Sequence, residues 1–251
     1  MTELYAEVQP GSGMPIVLLH GFGATSAIWR AVIEKLPGRT IFAYDLPGHG
    51  RSLHYPNAGS PGTAAKAIAA DLAERKIEHA HIVGHSMGGA IATLISMMNP
   101  DLPASLTLLS PGGYGPEINA PLLRRYGSAS DADTIAACLK EMSGPDATAT
   151  NEDAAKRAKG REAVGQIAML EKIAALITRD GRQGVIPAEG IQALKMPVAV
   201  LWGALDNVLP ISQMDAMPAH WTKITLTRAG HMLAEECPDE VAELIAKQAV
   251  I

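Results

Sequence analysis

The segment that decides the fold is His81-Ile82-Val83-Gly84-His85-Ser86-Met87-Gly88-Gly89-Ala90. It reads as the end of an apolar strand, then the pattern G-x-S-x-G centred on Ser86, then a helix-compatible run that continues through Ile95. A serine in a sharp turn between a strand and a helix needs strained backbone angles, and its neighbours must be small because the two elements pack closely. Gly84 and Gly88 meet that need. The pattern therefore predicts a serine hydroxyl raised above a sheet at a helix N-terminus, where developing negative charge is favoured.

Strand and helix patterns alternate on both sides of this segment. Apolar runs predict strands near 4–8, 15–19, 40–44, 81–85, 105–109, 196–201 and 223–227. Periodic apolar faces predict helices near 26–36, 62–76, 90–99, 132–142, 164–177, 211–217 and 238–248. The near-continuous apolar run 15–19 is typical of a parallel strand buried on both faces. We expect an α/β fold with a mostly parallel central sheet and helices on both faces.

The alternation stops between residues 112 and 190, where only helical patterns occur. An all-helical insertion between two strands of a sheet suggests a lid over the edge where the strands end. We expect a core domain formed by residues 1–111 and 191–251, with residues 112–190 inserted as a helical lid.

Composition narrows the class of protein. The 251 residues are 47% hydrophobic with a formal net charge of −5 and scattered basic residues, so a nucleic-acid partner is not expected. The two cysteines, Cys138 and Cys237, lack metal-site spacing, and we predict neither a metal site nor a cofactor. The first residues do not resemble a signal peptide, and no apolar run is long enough to cross a membrane. A cytoplasmic protein without membrane attachment is expected, and the sequence carries no signal for an oligomeric state.

Polar residues with matching chemistry follow three of the predicted strands. Ser86 follows one, Asp206 follows the strand after the insertion, and His231 follows the last strand. The carboxyl ends of parallel strands meet at one edge of a sheet, where open α/β sheets place their sites. A serine hydroxyl is a poor nucleophile without a base, and the imidazole that serves as base needs an acid to fix its tautomer. The sequence predicts Ser86 as nucleophile, His231 as base and Asp206 as the orienting acid.

Together these residues resemble one superfamily across nearly the whole chain. The motifs are His20-Gly21-Phe22-Gly23, Asp45-Leu46-Pro47-Gly48-His49-Gly50-Arg51-Ser52, Gly84-His85-Ser86-Met87-Gly88-Gly89, Trp202-Gly203-x-x-Asp206-x-x-x-Pro210 and Gly230-His231. This set, in this order, resembles the α/β-hydrolase superfamily. The resemblance, together with the expected geometry, implies an oxyanion hole formed by the backbone N–H groups of Phe22 and Met87. Gly21 and Gly23 would let the loop that carries Phe22 approach closely.

A narrower resemblance rests on Gly113-Tyr114-Gly115-Pro116-Glu117-Ile118-Asn119 and Asp180-Gly181-Arg182-Gln183. These segments are similar to the hydrolase-type domain at the C-terminus of some acetoin dehydrogenase E2 components. The chain shows neither a lipoylated-lysine motif nor the His-x-x-x-Asp motif of acyltransferases. A free-standing relative is therefore expected, without lipoyl-linked transacetylation.

Other histidines and one other acid compete for the catalytic roles. His20 and His49 are predicted to stabilise loops, His85 to face the lid or a neighbouring helix, and His54, His79, His81 and His220 to lie at the surface. Asp45 precedes the nucleophile and is expected to anchor its own loop. Ser110-Pro111-Gly112, where some relatives carry the acid, offers no carboxylate, which favours Asp206.

The expected activity is hydrolysis of a small to medium acyl ester or thioester through an acyl-enzyme intermediate. Two alternatives remain open: a hydrolase of C–C bonds or enol-lactones, and a ligand-sensing module that turns over very slowly. C–C bond hydrolases of this superfamily usually carry Trp after the base, whereas this chain has Met232. The low aromatic content of 4% indicates an aliphatic pocket. Its predicted substrate-binding residues are Gly21, Tyr114, Leu122, Leu139, Leu170 and Met232.

Overall fold

A computed structural model describes residues 4–147 and 151–249. The strands are β1 (Ala6–Gln9), β2 (Ser12–Leu19), β3 (Arg39–Tyr44), β4 (Ala80–His85), β5 (Pro103–Leu109), β6 (Val198–Gly203) and β7 (Thr222–Leu226). They form one sheet in the order β1-β3-β2-β4-β5-β6-β7. β1 pairs antiparallel with β3, and every other pair is parallel. The mostly parallel sheet predicted from the sequence is confirmed.

Helices cover both faces of this sheet, as expected. They are α1 (Arg30–Glu34), α2 (Pro61–Glu74), α3 (Met87–Met98), α4 (Ala120–Ser128), α5 (Ala132–Met142), α6 (Asn151–Arg161), α7 (Gln166–Ile177), α8 (Ala188–Gln192), α9 (Leu233–Glu236) and α10 (Pro238–Gln248). On one face α1 packs against α10, and on the other α2 packs against α3. Within the described residues, no helix combines the length and apolar character that crossing a bilayer requires.

The strand β2 shows why the sheet is covered on both sides. Ile16 and Leu18 belong to the core that includes α1 and α10, whereas Val17 and Leu19 belong to the core that includes α2 and α3. All four side chains are fully buried. Because successive side chains of a strand point to opposite faces, a continuous apolar run is stable only between two helical layers.

The inserted helices α4 to α7 lie between β5 and β6 in the sequence. They pack chiefly on one another, with α4 against α7 and α5 against α6. α8 crosses residue 190, the predicted end of the insertion, and packs against α3. The function of this helical insertion as a lid stays a prediction.

Two predicted helices differ in type from the expectation. Residues 26–36 divide into a 3-10 turn (Ser26–Trp29) followed by α1, and residues 211–217 form the 3-10 helix Ile211–Ala216. Pro210 and Pro218 flank the second segment, which leaves too few residues for a stable α-helix. The periodicity was sufficient to locate a helical turn but not its hydrogen-bond pattern.

Candidate active site

Ser86 occupies the turn between β4 and α3 with backbone angles φ 53° and ψ −118°. Such angles are strained for a residue with a side chain. The turn is tight because a Cβ on Gly84 would lie 2.3 Å from the carbonyl oxygen of Gly88, and one on Gly88 would lie 2.2 Å from that of Leu19. Both glycines are therefore required by the close approach of backbone to backbone, as the sequence predicted.

The structure brings Ser86, His231 and Asp206 into one hydrogen-bonded chain. His231 Nε2 lies 2.9 Å from Ser86 Oγ, and His231 Nδ1 lies 2.8 Å from Asp206 Oδ2. An ionised carboxylate can only accept, so Nδ1 donates to Asp206 and Nε2 is left to accept the serine proton. This is the tautomer that a serine nucleophile needs.

Asp206 is held in place from several sides. Its Oδ1 accepts hydrogen bonds from the backbone N–H groups of Val208 at 2.8 Å and Leu209 at 2.9 Å, and Trp202 Nε1 donates to Oδ2 at 3.1 Å. Burial by itself raises the pKa of this carboxyl, but the neighbouring His231 and the hydrogen bonds outweigh burial and hold the pKa below its usual value. Asp206 is therefore an ionised acid facing the imidazole.

The backbone N–H groups of Phe22 and Met87 have no hydrogen-bond partner within the described parts of the chain. Both residues line the same cavity as Ser86. Gly21 lies beside them, since a Cβ there would come 3.1 Å from Ser86 Cβ. Two free donors next to the serine hydroxyl form the arrangement expected for an oxyanion hole.

His20 and His49 hold the loop that carries Phe22. His20 Nε2 accepts a hydrogen bond from the backbone N–H of Leu46 at 2.9 Å, and His49 Nε2 accepts one from Gly23 at 3.1 Å. Both imidazoles are fully or almost fully buried. These contacts are those of structural histidines, as the sequence predicted.

The rival acid Asp45 anchors its own loop, because its two oxygens accept the backbone N–H groups of Ser26 and Arg51. The prediction that His81 lies at the surface is wrong. His81 is 4% exposed, and its Nδ1 bonds to Ser105 Oγ at 2.9 Å. Its polar neighbours in the sequence suggested exposure, but β4 is a central strand covered on both faces.

His85, predicted to face the lid or a neighbouring helix, hydrogen-bonds to the backbone of His231. Its Nε2 donates to the backbone carbonyl of His231 at 2.7 Å, and the side chain is 2% exposed. The backbone N–H of His231 in turn donates to the carbonyl of Met142 at 2.7 Å. His231, the predicted base, is thus held through its backbone by β4 on one side and the end of α5 on the other.

The cavity that contains Ser86, called here the Ser86 cavity, has a volume of about 400 Å³. Most of its wall is aliphatic, and within residues 4–147 and 151–249 Arg179 is the only charged side chain that lines it. The apolar lining comprises Phe22, Met87, Ala90, Leu94, Ile118, Leu123, Leu176, Ile177, Val185, Ile186 and Leu209. The aliphatic pocket suggested by the composition is present in the structure.

The residues predicted to line this pocket lie elsewhere. Tyr114, Leu122, Leu139, Leu170 and Met232 are all at most 7% exposed, and neither they nor Gly21 form part of the wall of the Ser86 cavity. The reason is physical: these side chains are packed into the same core as the sheet, α2 and α3, and the inserted helices also pack on one another. The segment 176–187 forms much of the wall instead. The glycines and charged residues of this segment gave no apolar pattern from which a pocket wall could be predicted.

A sequence model described as the alpha/beta hydrolase family matches residues 16–244, which include the helical insertion as well as the sheet. The chain belongs to the α/β hydrolase family. The match agrees with the strand order and with the turn that holds Ser86.

Two relatives of this hydrolase are acetyltransferase components of acetoin cleaving systems, which confirms the narrower resemblance. The dihydrolipoyllysine-residue acetyltransferase component of Pseudomonas putida is 29% identical over 232 residues, which cover 91% of this chain and 61% of that protein. That of Cupriavidus necator is 26% identical and covers 94% and 64% respectively. The chain therefore spans less than two thirds of the length of these relatives.

A third relative of the hydrolase matches along most of both chains. The pimeloyl-[acyl-carrier protein] methyl ester esterase of Aliivibrio salmonicida is 28% identical over 245 residues, which cover 92% of this chain and 89% of that protein. Among solved structures, a meta-cleavage product hydrolase from Pseudomonas fluorescens IP01 superposes with a TM-score of 0.86 at 20% identity, covering 98% of this chain and 94% of that one. The structural likeness shows the shared fold.

Glu236 is a site residue of this hydrolase that the sequence did not reveal. Its carboxylate accepts the backbone N–H groups of Gly230 at 2.9 Å and Met232 at 2.8 Å, one on each side of His231. It also accepts the N–H of Gly144, after α5, at 2.8 Å. Nothing in Glu235-Glu236 distinguishes it from a solvated acidic pair, because its three partners are backbone groups.

We expect Glu236→Gln to lower kcat about tenfold or more with little change in KM. An amide has one acceptor oxygen where three N–H groups converge, so the backbone around His231 shifts while the Ser86 cavity is left unchanged. Steady-state kinetics on a p-nitrophenyl ester measures kcat and KM separately. The control is Glu240→Gln, which changes an exposed acid on α10. An equal loss in both variants, or a change confined to KM, would contradict a positioning role.

Three buried histidines of the hydrolase predict sensitivity to acid. Burial lowers the pKa of His20, His49 and His85 to about 3. Unfolding exposes imidazoles of ordinary pKa, about 6.5, so the unfolded state binds more protons below that pH. Each imidazole then costs about 1.4 kcal/mol of stability per pH unit as the pH falls from about 6 toward 4. Urea unfolding at several pH values measures the slope, and a flat profile across this range would contradict neutral burial.

Proposed function

We propose that this chain is a serine hydrolase that cleaves small to medium acyl esters or thioesters through an acyl-enzyme intermediate. The observation that carries the proposal is the hydrogen-bonded chain Ser86–His231–Asp206 beside two free backbone donors in an aliphatic cavity. Neither a metal nor a cofactor is needed for this chemistry.

Acylation begins when Ser86 Oγ attacks the acyl carbon and His231 Nε2 takes its proton. The carbonyl oxygen becomes negatively charged and accepts hydrogen bonds from the N–H groups of Phe22 and Met87. The tetrahedral intermediate collapses, the bond to the leaving oxygen or sulfur breaks, and His231 returns the proton to that atom. Asp206 stabilises the imidazolium throughout.

Deacylation repeats these steps with water. His231 takes a proton from a water molecule that attacks the acyl carbon, and the oxyanion again forms at Phe22 and Met87. Collapse releases the acid and gives the proton back to Ser86. Water therefore replaces the alcohol or thiol that left in the first half.

The cavity and the relatives support an acyl substrate. An aliphatic wall suits an acyl chain. The relative matched along 89% of its length is a methyl ester esterase, and the two longer relatives are acetyltransferase components. Met232 stands where C–C bond hydrolases of this superfamily usually carry Trp. The helical insertion supplies the wall from Leu176 to Pro187 and would act as the lid over the acyl chain.

The proposal is tested by a fluorophosphonate label and a panel of acyl esters and thioesters from two to ten carbons. The expected result is a single covalent adduct that peptide mapping places on Ser86, together with multiple turnovers on esters. Dienoic ketoacids and enol-lactones are assayed in parallel. Faster cleavage of those compounds, or covalent trapping without turnover, would overturn the proposal in favour of a C–C hydrolase or a ligand sensor.

Narrowing the Ser86 cavity should shift the preference toward short acyl chains. Ala90 lies in the first turn of α3 and lines the cavity, so Ala90→Phe fills space next to the nucleophile. Each buried methylene contributes about 0.8 kcal/mol, so excluding two lowers kcat/KM for an octanoyl ester about tenfold relative to an acetyl ester. The control is Ala175→Phe, an exposed position on α7. An unchanged ratio between the two esters would show that the acyl chain does not occupy this cavity.

A further inference from the structure

A second cavity of about 240 Å³ lies between the loop 23–25 and the helices α6 and α7. We call it the Arg161 cavity. Ser86 is not part of its wall, so it is separate from the Ser86 cavity. Four basic side chains line it, against two acidic ones, Asp153 and Glu235. The basic residues are Arg30, Lys156, Arg157 and Arg161.

Arg161 is the unusual member of this set, because it is only 4% exposed. Its Nη1 donates to the backbone carbonyls of Tyr126 and Ala129, and the guanidinium lies 4.4 Å from the centre of the Tyr126 ring. Its Nη2 has no hydrogen-bond partner within the described residues. Among those residues no carboxylate lies within ion-pairing distance of Arg161.

Two of the neighbouring cations have counter-charges, whereas Arg161 has none among the described residues. Arg157 pairs with Glu235 and also donates to the Tyr126 hydroxyl, and Lys156 pairs with Glu152. Burial lowers the pKa of Arg161, and the charge of Arg157 lowers it further. Within the described residues this buried charge has no counter-charge, which destabilises the fold, so a negative group in the adjoining cavity would stabilise it.

We propose that the Arg161 cavity is a binding site for a phosphate group, with Arg161 as its principal ligand. A planar guanidinium with unused N–H groups matches the oxygens of a tetrahedral oxyanion, and the cavity has room for one. The site adjoins Gly23, the residue after the proposed oxyanion donor Phe22, so a bound anion would also fix that loop. Binding can be measured without turnover, and this site therefore does not depend on the proposed function.

The experiment is a calorimetric titration of the full chain with inorganic phosphate at constant ionic strength. The expected result is one site per chain, weakened about tenfold or more in Arg161→Met, because a charge-assisted hydrogen bond is lost. The control is Arg228→Gln, which removes an exposed arginine outside the cavity. Absence of binding by the wild type, or equal affinity in all three proteins, would overturn the proposal.

A second measurement does not depend on the folding of a variant. Crystals of the wild type soaked in selenate should show an anomalous peak in the Arg161 cavity within hydrogen-bond distance of the Arg161 guanidinium, and peaks confined to the surface would count against the site. Competition by coenzyme A, compared with pantetheine, then separates two sources of the phosphate group. If coenzyme A displaces inorganic phosphate and pantetheine does not, the site binds a phosphate carried by a larger ligand. If neither compound displaces it, the site binds the free anion.

Discussion

Ser86→Ala should lower kcat for a p-nitrophenyl ester by about a millionfold while the fold stays intact. Removing the nucleophile of a serine hydrolase typically costs about that factor, because His231 and Asp206 have no group left to activate. The residual rate over water would come from the oxyanion donors and from substrate binding. Because Ser86 is already tolerated at φ 53°, an alanine with the same Cβ adds no new backbone clash.

A matched control for this prediction is Ser110→Ala. Ser110 follows β5, has no exposed surface, and its Oγ has no hydrogen-bond partner among the described residues. Ser110→Ala therefore removes a buried hydroxyl at the end of the neighbouring strand that makes no hydrogen bond to His231. Retained turnover in Ser86→Ala, or an equal loss of turnover in Ser110→Ala, would contradict the assignment of Ser86 as the nucleophile. Stopped-flow assays measure the loss of activity, and circular dichroism shows whether the variant is still folded.

The sequence was sufficient to predict where the reacting groups meet. Ser86, Asp206 and His231 each follow a parallel strand, and the carboxyl ends of such strands share one edge of the sheet. Gly84 and Gly88 predicted the tight turn, because a side chain at either position would collide with the backbone. Local backbone requirements and strand order therefore determined the site without knowledge of the insertion.

The wall of the Ser86 cavity could not be predicted in the same way. Leu139 and Leu170 have the apolar periodicity of pocket-facing residues, but that periodicity is equally satisfied by packing between the inserted helices. Residues 176–187, which run from the end of α7 to the residue before α8, form much of the wall because of how the insertion docks on the core, which is a long-range effect. Glu236 was missed for a related reason, since it acts on backbone N–H groups that a sequence pattern does not show.

Asp206→Asn should lower kcat by about ten thousandfold, although it changes the side chain by a single atom. The N–H groups of Val208 and Leu209 both point at Oδ1, so the amide oxygen of the asparagine must take that position. Its NH₂ group then faces Trp202 Nε1 and His231 Nδ1. A donor at that point forces Nδ1 to accept, moves the imidazole proton to Nε2, and removes the lone pair that takes the proton of Ser86.

The same variant should also change the dependence of stability on pH. The pKa of Asp206 lies below that of an unfolded aspartate, about 3.9, so its ionisation stabilises the folded state above that pH and the contribution is lost as the pH falls through the folded-state pKa. The difference in unfolding free energy between wild type and Asp206→Asn should therefore shrink below about pH 4. Urea unfolding at pH 7 and pH 3 measures it, with the exposed Asp215→Asn as control. A difference that stays constant with pH would mean that the carboxylate is not stabilised by His231 and the backbone, and wild-type kcat in Asp206→Asn would exclude Asp206 as the group that sets the tautomer.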